Sequence, residues 1–440
     1  MTRILLKGGC VLTLARSPNL RGGDVLIEDD VVSEVGTGLR ARDAEQVDAT
    51  DTIVMPGFVD THRHAWRSLS RNVGAWPPGR GTEGAGDSFR PEDVYAATLI
   101  GLLGAIEAGI TTVVDWSPIR PDDALVDSAL RAHADAGLRT VFVHAARTRT
   151  EDQGSSAAAI RGLSARLSDA AGPRTTIAFG SDVPGANDHE RLVAEWAAAR
   201  ELGLRIHAHV DPETSGPGAI AELTRHGLLG ADVTLVHCSS LDDEDVEAIA
   251  ASGASVSLAP SGEMAGGLGT PPIQSLIDRD IRPGLGVDEE RLTPGDLFAQ
   301  MRATISMQHA TVFDRKLAGK AGVPKLMNTR DVIRHATIDG ARAAGLGTVT
   351  GSLEPGKQAD IVLLRTDRPN IFPINDPIGA VVWGMDTSNV DWVFVGGKPL
   401  MRGGALEANV EQARNLAATA QERVATTARL AVGTAPWGER

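Results

Sequence analysis

Cysteine is almost missing from this 440-residue chain, which has only Cys10 and Cys238. Two thiols cannot make a disulfide framework, so a disulfide-stapled secreted scaffold is excluded and a reducing compartment is favoured. Aromatic residues are also few, at 4% of the chain with a single tyrosine, so the core must be largely aliphatic and each tryptophan becomes a position worth locating. No excess of basic residues is present either: 43 Lys and Arg stand against 57 Asp and Glu, a formal charge of −14, and no Lys/Arg run appears. Nucleic acid and anionic membrane surfaces are therefore poor partners. No apolar run approaches the ~18 residues of a membrane span, and the first residues lack the apolar stretch of a secretion signal. These absences predict a cytoplasmic protein; a small-molecule substrate and, in a homo-oligomer, further copies of the chain are the expected partners. What is present, 23% charged and 42% apolar residues, is the balance of an ordinary globular chain. Its length predicts one large domain with a smaller one.

Short apolar runs alternate with alanine-rich segments. Eight runs read as strands: 53–60, 111–116, 140–145, 175–180, 205–210, 233–238, 255–259 and 281–288. Helical patterns over 91–108, 122–136, 155–167, 188–202 and 242–250 lie between them, several opened by Asp, Ser or Pro. Eight β-then-α units predict a (β/α)8 TIM-type barrel with its polar residues at the strand ends. The flanks differ. Residues 1–55 and 346–405 are rich in turns and short strands, predicting a composite β-sandwich built from both chain termini around a barrel at 56–345, with a helical tail at 406–440. Residues 74–88, with several glycines and few apolar anchors, read as a loop able to cover the site.

The first barrel run ends Pro56-Gly57-Phe58-Val59-Asp60-Thr61-His62-Arg63-His64. On a strand, residues two apart project to the same face, so His62 and His64 can bind one ion. Arg63 should point the other way and pair structurally. Later runs end in Ile206-His207-Ala208-His209, Leu235-Val236-His237-Cys238 and Gly284-Leu285-Gly286-Val287-Asp288.

With these motifs in order, the chain resembles the metal-dependent amidohydrolase superfamily, in the branch of cytosine and guanine deaminases, adenosylhomocysteine-type deaminases and s-triazine hydrolases. The resemblance runs nearly end to end, since Gly351 to Leu364 matches the family's return into its β-domain. It implies one divalent metal ion per chain, Zn²⁺ first and Fe²⁺ compatible, held by His62, His64, His209 and Asp288. It further implies hydroxide attack by metal-bound water, with Asp288 taking the proton and His237 acting as a catalytic residue. His207, one layer deeper, reads as a supporting residue. No lysine ends the fourth strand to bridge a second metal.

One departure stands out. The branch carries Glu three residues after the fifth-strand histidine, where this chain has Pro212. Glu263 is the first candidate to replace it, ahead of Glu213 and Asp211, because Pro212 restricts the backbone beside it. Trp66, Trp76 and Trp116 follow the ends of strands one and two and could stack on a planar ring. His144 and Asp182, at the ends of strands three and four, are the candidates for the far side of the substrate. The expected function is hydrolysis at an electrophilic carbon of a small, nitrogen-containing, heterocyclic substrate, releasing ammonia, an amine or another leaving group. A ring-opening amide hydrolase, or a lyase or isomerase on the same site, is the alternative within enzymes. A non-catalytic binding barrel is the alternative outside them, and the full ligand set argues against it.

Overall fold

Parallel strands form one eight-stranded sheet in chain order: Phe58–Arg63, Ile110–Ser117, Arg139–Ala145, Thr175–Asp182, Ile206–Val210, Val233–His237, Ser255–Leu258 and Gly284–Leu285. The computed structural model describes residues 2–72, 88–117, 123–145, 157–183, 189–212 and 215–428, and structural statements refer to these. The eighth strand returns to the first through a parallel bridge between Arg63 and Asp288, with Asp288 N donating to His62 O at 2.8 Å and His64 N to Asp288 O at 3.0 Å. This contact closes the barrel.

Local chemistry explains the connecting helices. Pro91 opens Pro91–Glu107 at a position where its missing N–H costs nothing. Asp242 accepts from Asp245 N ahead of Asp243–Ser252, and Asp296 accepts from Ala299 N ahead of Leu297–Leu317, each satisfying an otherwise orphaned donor. Side-chain alternation then sorts the layers. Val141, Val143 and Ala178 pack with Val114 and Trp116 in one cluster, whereas Phe142 packs with helix residues Leu125, Leu130 and Leu167. The first set fills the barrel and the second lies beneath the helices.

Two expected strands differ from those observed. The run 53–60 divides at Gly57: Thr52–Pro56 joins the other sheet and Phe58–Arg63 starts the barrel. Gly57 N donates to Asp360 O, and a Cβ on Gly57 would lie 2.1 Å from Thr111 Cγ2, so only glycine permits the bend. The run 281–288 contracts to Gly284–Leu285. Asp288 has a left-handed φ of 64°, which ends extended geometry just where the ligand candidate stands.

Both flanks meet in a single mixed sheet of nine strands. Thr52–Pro56 pairs in parallel with Arg3–Val11 and antiparallel with Ile361–Arg365, so the two ends of the chain join there. Leu20–Glu28, Val31–Gly36 and Glu45–Asp48 extend one flank; Val390–Val395, Lys398–Arg402 and Ala405–Leu406 extend the other. Arg139, from the base of the third barrel strand, reaches Asp360 at 2.7 Å and Gln358 at 2.7 Å, tying barrel to sheet through a buried pair. Breaking such a pair from one side typically costs about 3–5 kcal/mol. Within the expected tail, Val410–Ala428 is helical and packs Ala420 and Val424 against the helix layer; residues beyond 428 lie outside the described set, as do residues 74–87 of the covering loop expected at 74–88. No described helix is long and apolar enough to cross a membrane.

Candidate active site

The strand ends bring five side chains together around His62. Its Nε2 lies 3.2 Å from His209 Nε2 and 3.5 Å from Asp288 Oδ1, and His64 Nε2 lies 3.4 Å from the same carboxylate oxygen. Two overlapping groups have donor atoms close enough for one ion: His62, His64 and His209, and His62, His237 and Asp288. The rings pack edge to face around His62, with centroids 4.8 Å away at His64, 4.9 Å at His209 and 5.4 Å at His237. Each is at most 9% exposed, which makes the centre a desolvated one.

Burial decides the protonation of the first two. It pushes His62 down to about 4, against the opposing pull of Asp288, and holds His64 well below the ordinary histidine range. Both therefore present lone pairs near neutral pH. Asp288 resists its own burial because His62 and the neighbouring cationic imidazole of His237 hold its carboxyl well below the usual range. Neutral imidazoles beside an ionised carboxylate suit Zn²⁺ or another divalent ion of similar ligand preference.

His237 differs from its neighbours. Burial lowers its pKa, but the contact of its Nδ1 with Glu263 Oε1, at 3.1 Å, together with Asp288 and Asp211, raises it to about 9. Glu263 is fully buried on the short helix Pro260–Gly266, and its Oε1 also accepts from Ala259 N at 2.8 Å. Burial pushes its carboxyl up, and His237 pulls it back. Glu263 thus meets the cluster through His237. The backbone is left-handed at His237, φ 73°, and at Cys238, φ 57°. Non-glycine residues hold such conformations at a cost that functional sites commonly carry. Cys238 itself is inert, since burial first and Glu263 and Asp245 next push its thiol far up.

Among the described residues, the expected substrate contact Trp116 packs directly against the clustered histidines. Its ring is 4.0 Å from that of His209 and 6.0 Å from that of His62. Trp66 instead follows the strand into the turn Ala65–Ser70 and packs in the helix layer with Phe89, 5.7 Å away, and with Ala420 and Val424. His144 shares the outward face of Phe142 and lines a pocket with Ile160, Leu167 and Phe179, so it lies between sheet and helix, away from the cluster. Asp182 does reach the site, but its Oδ1 is 3.1 Å from His209 Nδ1, which orients that ring toward His62. His207 is fully buried and held neutral by burial, with Arg205 adding to the effect. Trp76 and Glu213 lie outside the described residues.

Two supports escaped sequence reasoning. Asp115 accepts from Ala65 N at 2.8 Å and contacts His133 Nε2 at 2.8 Å, anchoring the turn that follows His64. Glu290 accepts from Arg63, Ser68 and Arg71. Asp115 carried one usable signal, its place beside Trp116 at a strand end; Glu290 carried only its nearness to Asp288.

Fold and cluster together define an enzyme of the (β/α)8 class with imidazoles gathered at the C-terminal rim of the barrel. The profile of the Amidohydrolase family matches residues 53–400, and the chain belongs to that family. Among curated relatives, a 5'-deoxyadenosine deaminase of Methanothermobacter thermautotrophicus is 29% identical over 413 residues, covering 88% of this chain and 91% of that one. A 5-methylthioadenosine/S-adenosylhomocysteine deaminase of Pelotomaculum thermopropionicum is 28% identical over 430 residues, covering 91% and 94%. Among solved structures, the atrazine chlorohydrolase TrzN from Arthrobacter aurescens TC1, complexed with zinc, superposes with a TM-score of 0.84 at 22% identity, over 95% of this chain and 100% of that one. The likeness to that chlorohydrolase shows a fold shared over nearly the whole chain.

Proposed function

We propose that the chain is a mononuclear divalent-metal hydrolase acting on non-peptide carbon–nitrogen bonds of a small nitrogen heterocycle, with His62, His64, His209 and Asp288 holding one ion, Zn²⁺ first and Fe²⁺ second. The observation that carries this reading is the convergence of three imidazole nitrogens and one ionised carboxylate from strands one, five and eight around His62. When bound, such an ion supplies Lewis acidity that polarises the substrate and makes water acidic enough to attack near neutral pH.

The chain's own groups supply the proton transfers. Asp288, ionised and beside His62, accepts the proton released by the attacking water. His237 carries a proton held by Glu263 behind its Nδ1, and its other ring nitrogen faces the cluster, where it donates to the departing group. In this reading the His237–Glu263 pair performs the task usually given to the glutamate whose place Pro212 takes. Trp116 forms an apolar wall beside His209 and keeps water from that side.

Relatives that deaminate adenosine-type compounds put 6-aminopurine nucleosides first in a substrate screen, with s-triazines next. The test is elemental analysis of the purified protein followed by an ammonia-release assay across those two classes. About one Zn²⁺ or Fe²⁺ per chain and ammonia release that a chelator abolishes support the reading; full turnover after stripping would overturn it. Pro212 favours a second reading, in which the same site opens a cyclic amide or catalyses a non-hydrolytic step. Product analysis by mass separates the two, because ring opening adds water with no loss of a fragment.

The same proposal divides the chain at 1–55, 56–345, 346–405 and 406–440, supported by the sheet membership of Thr52–Pro56 and Ile361–Arg365. A cytoplasmic location, supported by two free thiols, and a homo-oligomeric state complete it, tested by fractionation and light scattering respectively.

A further inference from the structure

The candidate ligands His62, His64 and Asp288 come from the two ends of the barrel sheet, and the seam between those ends is thin in backbone bonds. Strand eight is two residues long, and only Asp288 pairs with strand one beyond it. Gly286 lets the chains approach, since a Cβ there would lie 2.8 Å from both N and O of His62. Close approach alone does not fix the turn that follows Asp288. Side chains do so at Glu290, which is nearly buried and accepts three donors from the first-strand side: Arg63 Nη1 at 2.7 Å, Ser68 Oγ at 3.0 Å and Arg71 Nε at 2.6 Å.

Arg63 lies between the two histidine ligands and is itself fully committed. Its Nε donates to Asp60 Oδ2 at 2.7 Å and its Nη2 to Gly295 O at 2.8 Å. Asp60 in turn accepts from Val287 N at 3.0 Å and from His62 N at 3.3 Å. One guanidinium therefore ties both sides of the seam to the strand that bears His62 and His64. A second tie is the Arg67–Glu289 ion pair.

We infer that Glu290 is a positioning residue whose carboxylate, clamped by Arg63, Ser68 and Arg71, sets Asp288 against His62 and His64 and so fixes the affinity of the metal site. The inference rests on the proposed metal-holding role of those residues. Its physical basis is that groups supporting metal ligands hold the donors in place before the ion arrives, and removing such a support typically weakens binding about 10- to 100-fold.

The test measures Zn²⁺ affinity by competition with a chromophoric chelator, alongside the melting temperature of the metal-free protein. Glu290→Gln is compared with Asp360→Asn, which breaks a buried pair with Arg139 far from the seam. Expected is a Zn²⁺ Kd at least about 10-fold weaker in Glu290→Gln, and one within about two-fold of wild type in Asp360→Asn although its melting temperature falls. A Glu290→Gln protein that melts lower yet binds Zn²⁺ as wild type does would overturn the clamp, leaving Glu290 a stabilising residue only. If Glu290→Gln does not fold, Arg71→Gln removes one donor from the rim and should weaken Kd by about 3-fold or more; no change there overturns the clamp equally. Wild-type protein that takes up no ion would sink the metal reading itself, and it is distinguished by being measured first.

Discussion

The two sides of the candidate site are built by different means. On the side of strands one and eight, His62, His64 and Asp288 sit on a lattice of buried charges in which Asp60, Arg63 and Glu290 are linked by bonds of 2.7 Å. On the side of strands five and six, each histidine meets a carboxylate by direct hydrogen-bond contact, Asp182 for His209 and Glu263 for His237. Even those two differ, since the Asp182 side chain is 43% exposed and that of Glu263 is fully buried. The proposed ligands at the seam of strands one and eight are braced by several mutually bonded charges, whereas the proposed proton carrier His237 rests on one hydrogen-bonding carboxylate whose charge can change.

Removal of a proposed ligand from either side should cost the most. His62 belongs to both ion-binding groups, so His62→Ala is expected to abolish metal content and turnover. His209→Ala should do the same, because three imidazoles and one carboxylate leave no spare donor. Elemental analysis with an activity assay checks both, and a His62→Ala protein that retains the ion would refute the ligand set.

Next in size comes His237, the proposed proton carrier. His237→Asn should keep fold and metal while lowering kcat by about 10²-fold or more, the usual worth of a positioned acid. If that variant loses its ion while His209→Ala keeps it, the roles of strands five and six are exchanged.

A smaller pair of effects separates the two carboxylates. Glu263→Gln, which keeps a hydrogen-bonding group behind His237 but removes its charge, should lower kcat by roughly 10-fold with metal affinity unchanged. Asp182→Asn should instead weaken metal binding about 10-fold and leave kcat of the loaded enzyme nearly intact, because it orients a ligand. Identical responses in both measurements would mean that the site has no such division.

How far the sequence carries this picture depends on which residue decides each feature. Strand-end histidines were legible because two-residue alternation and chain order suffice to place them, and the barrel was legible because eight apolar runs recur with helical patterns between most of them. Glycine contacts were not. Gly57 redirects the chain against Thr111, and Gly286 admits the His62 backbone, through approaches that exist only in three dimensions. His144 shows the limit of alternation. A strand end names two faces, and choosing between them requires the register with its neighbours; here Ser117 lies opposite His144, and the inward tryptophan is one residue earlier. Trp66 failed for another reason, since the chain leaves strand geometry at His64 and the turn Ala65–Ser70 carries the ring into the helix layer. Glu263 was visible as a candidate, but its contact with His237 depends on a helix of seven residues that periodicity could not resolve.

That outlying histidine provides the smallest test, and it separates acid loss of the site from acid loss of the fold. Burial first and the charge of Arg166 second lower His144 to about 4, and neither ring nitrogen has a hydrogen-bond partner. An unfolded chain returns it to about 6.5, so below that pH the unfolded state binds the extra proton and folding stability falls. The loss starts near pH 6.5, continues down to about 4 and then levels off; the contribution is fully present above the unfolded pKa. At pH 5 the shift amounts to about 2 kcal/mol. His144→Leu suits the apolar lining of Ile160, Leu167 and Phe179 and should remove that slope, so that urea midpoints at pH 7.5 and pH 5 differ less than in wild type. Parallel pH dependences for the two proteins would show that His144 is not the group that titrates. Activity at pH 7.5 should stay at the wild-type level in His144→Leu, because the ring lies beneath a helix and not among the residues gathered around His62.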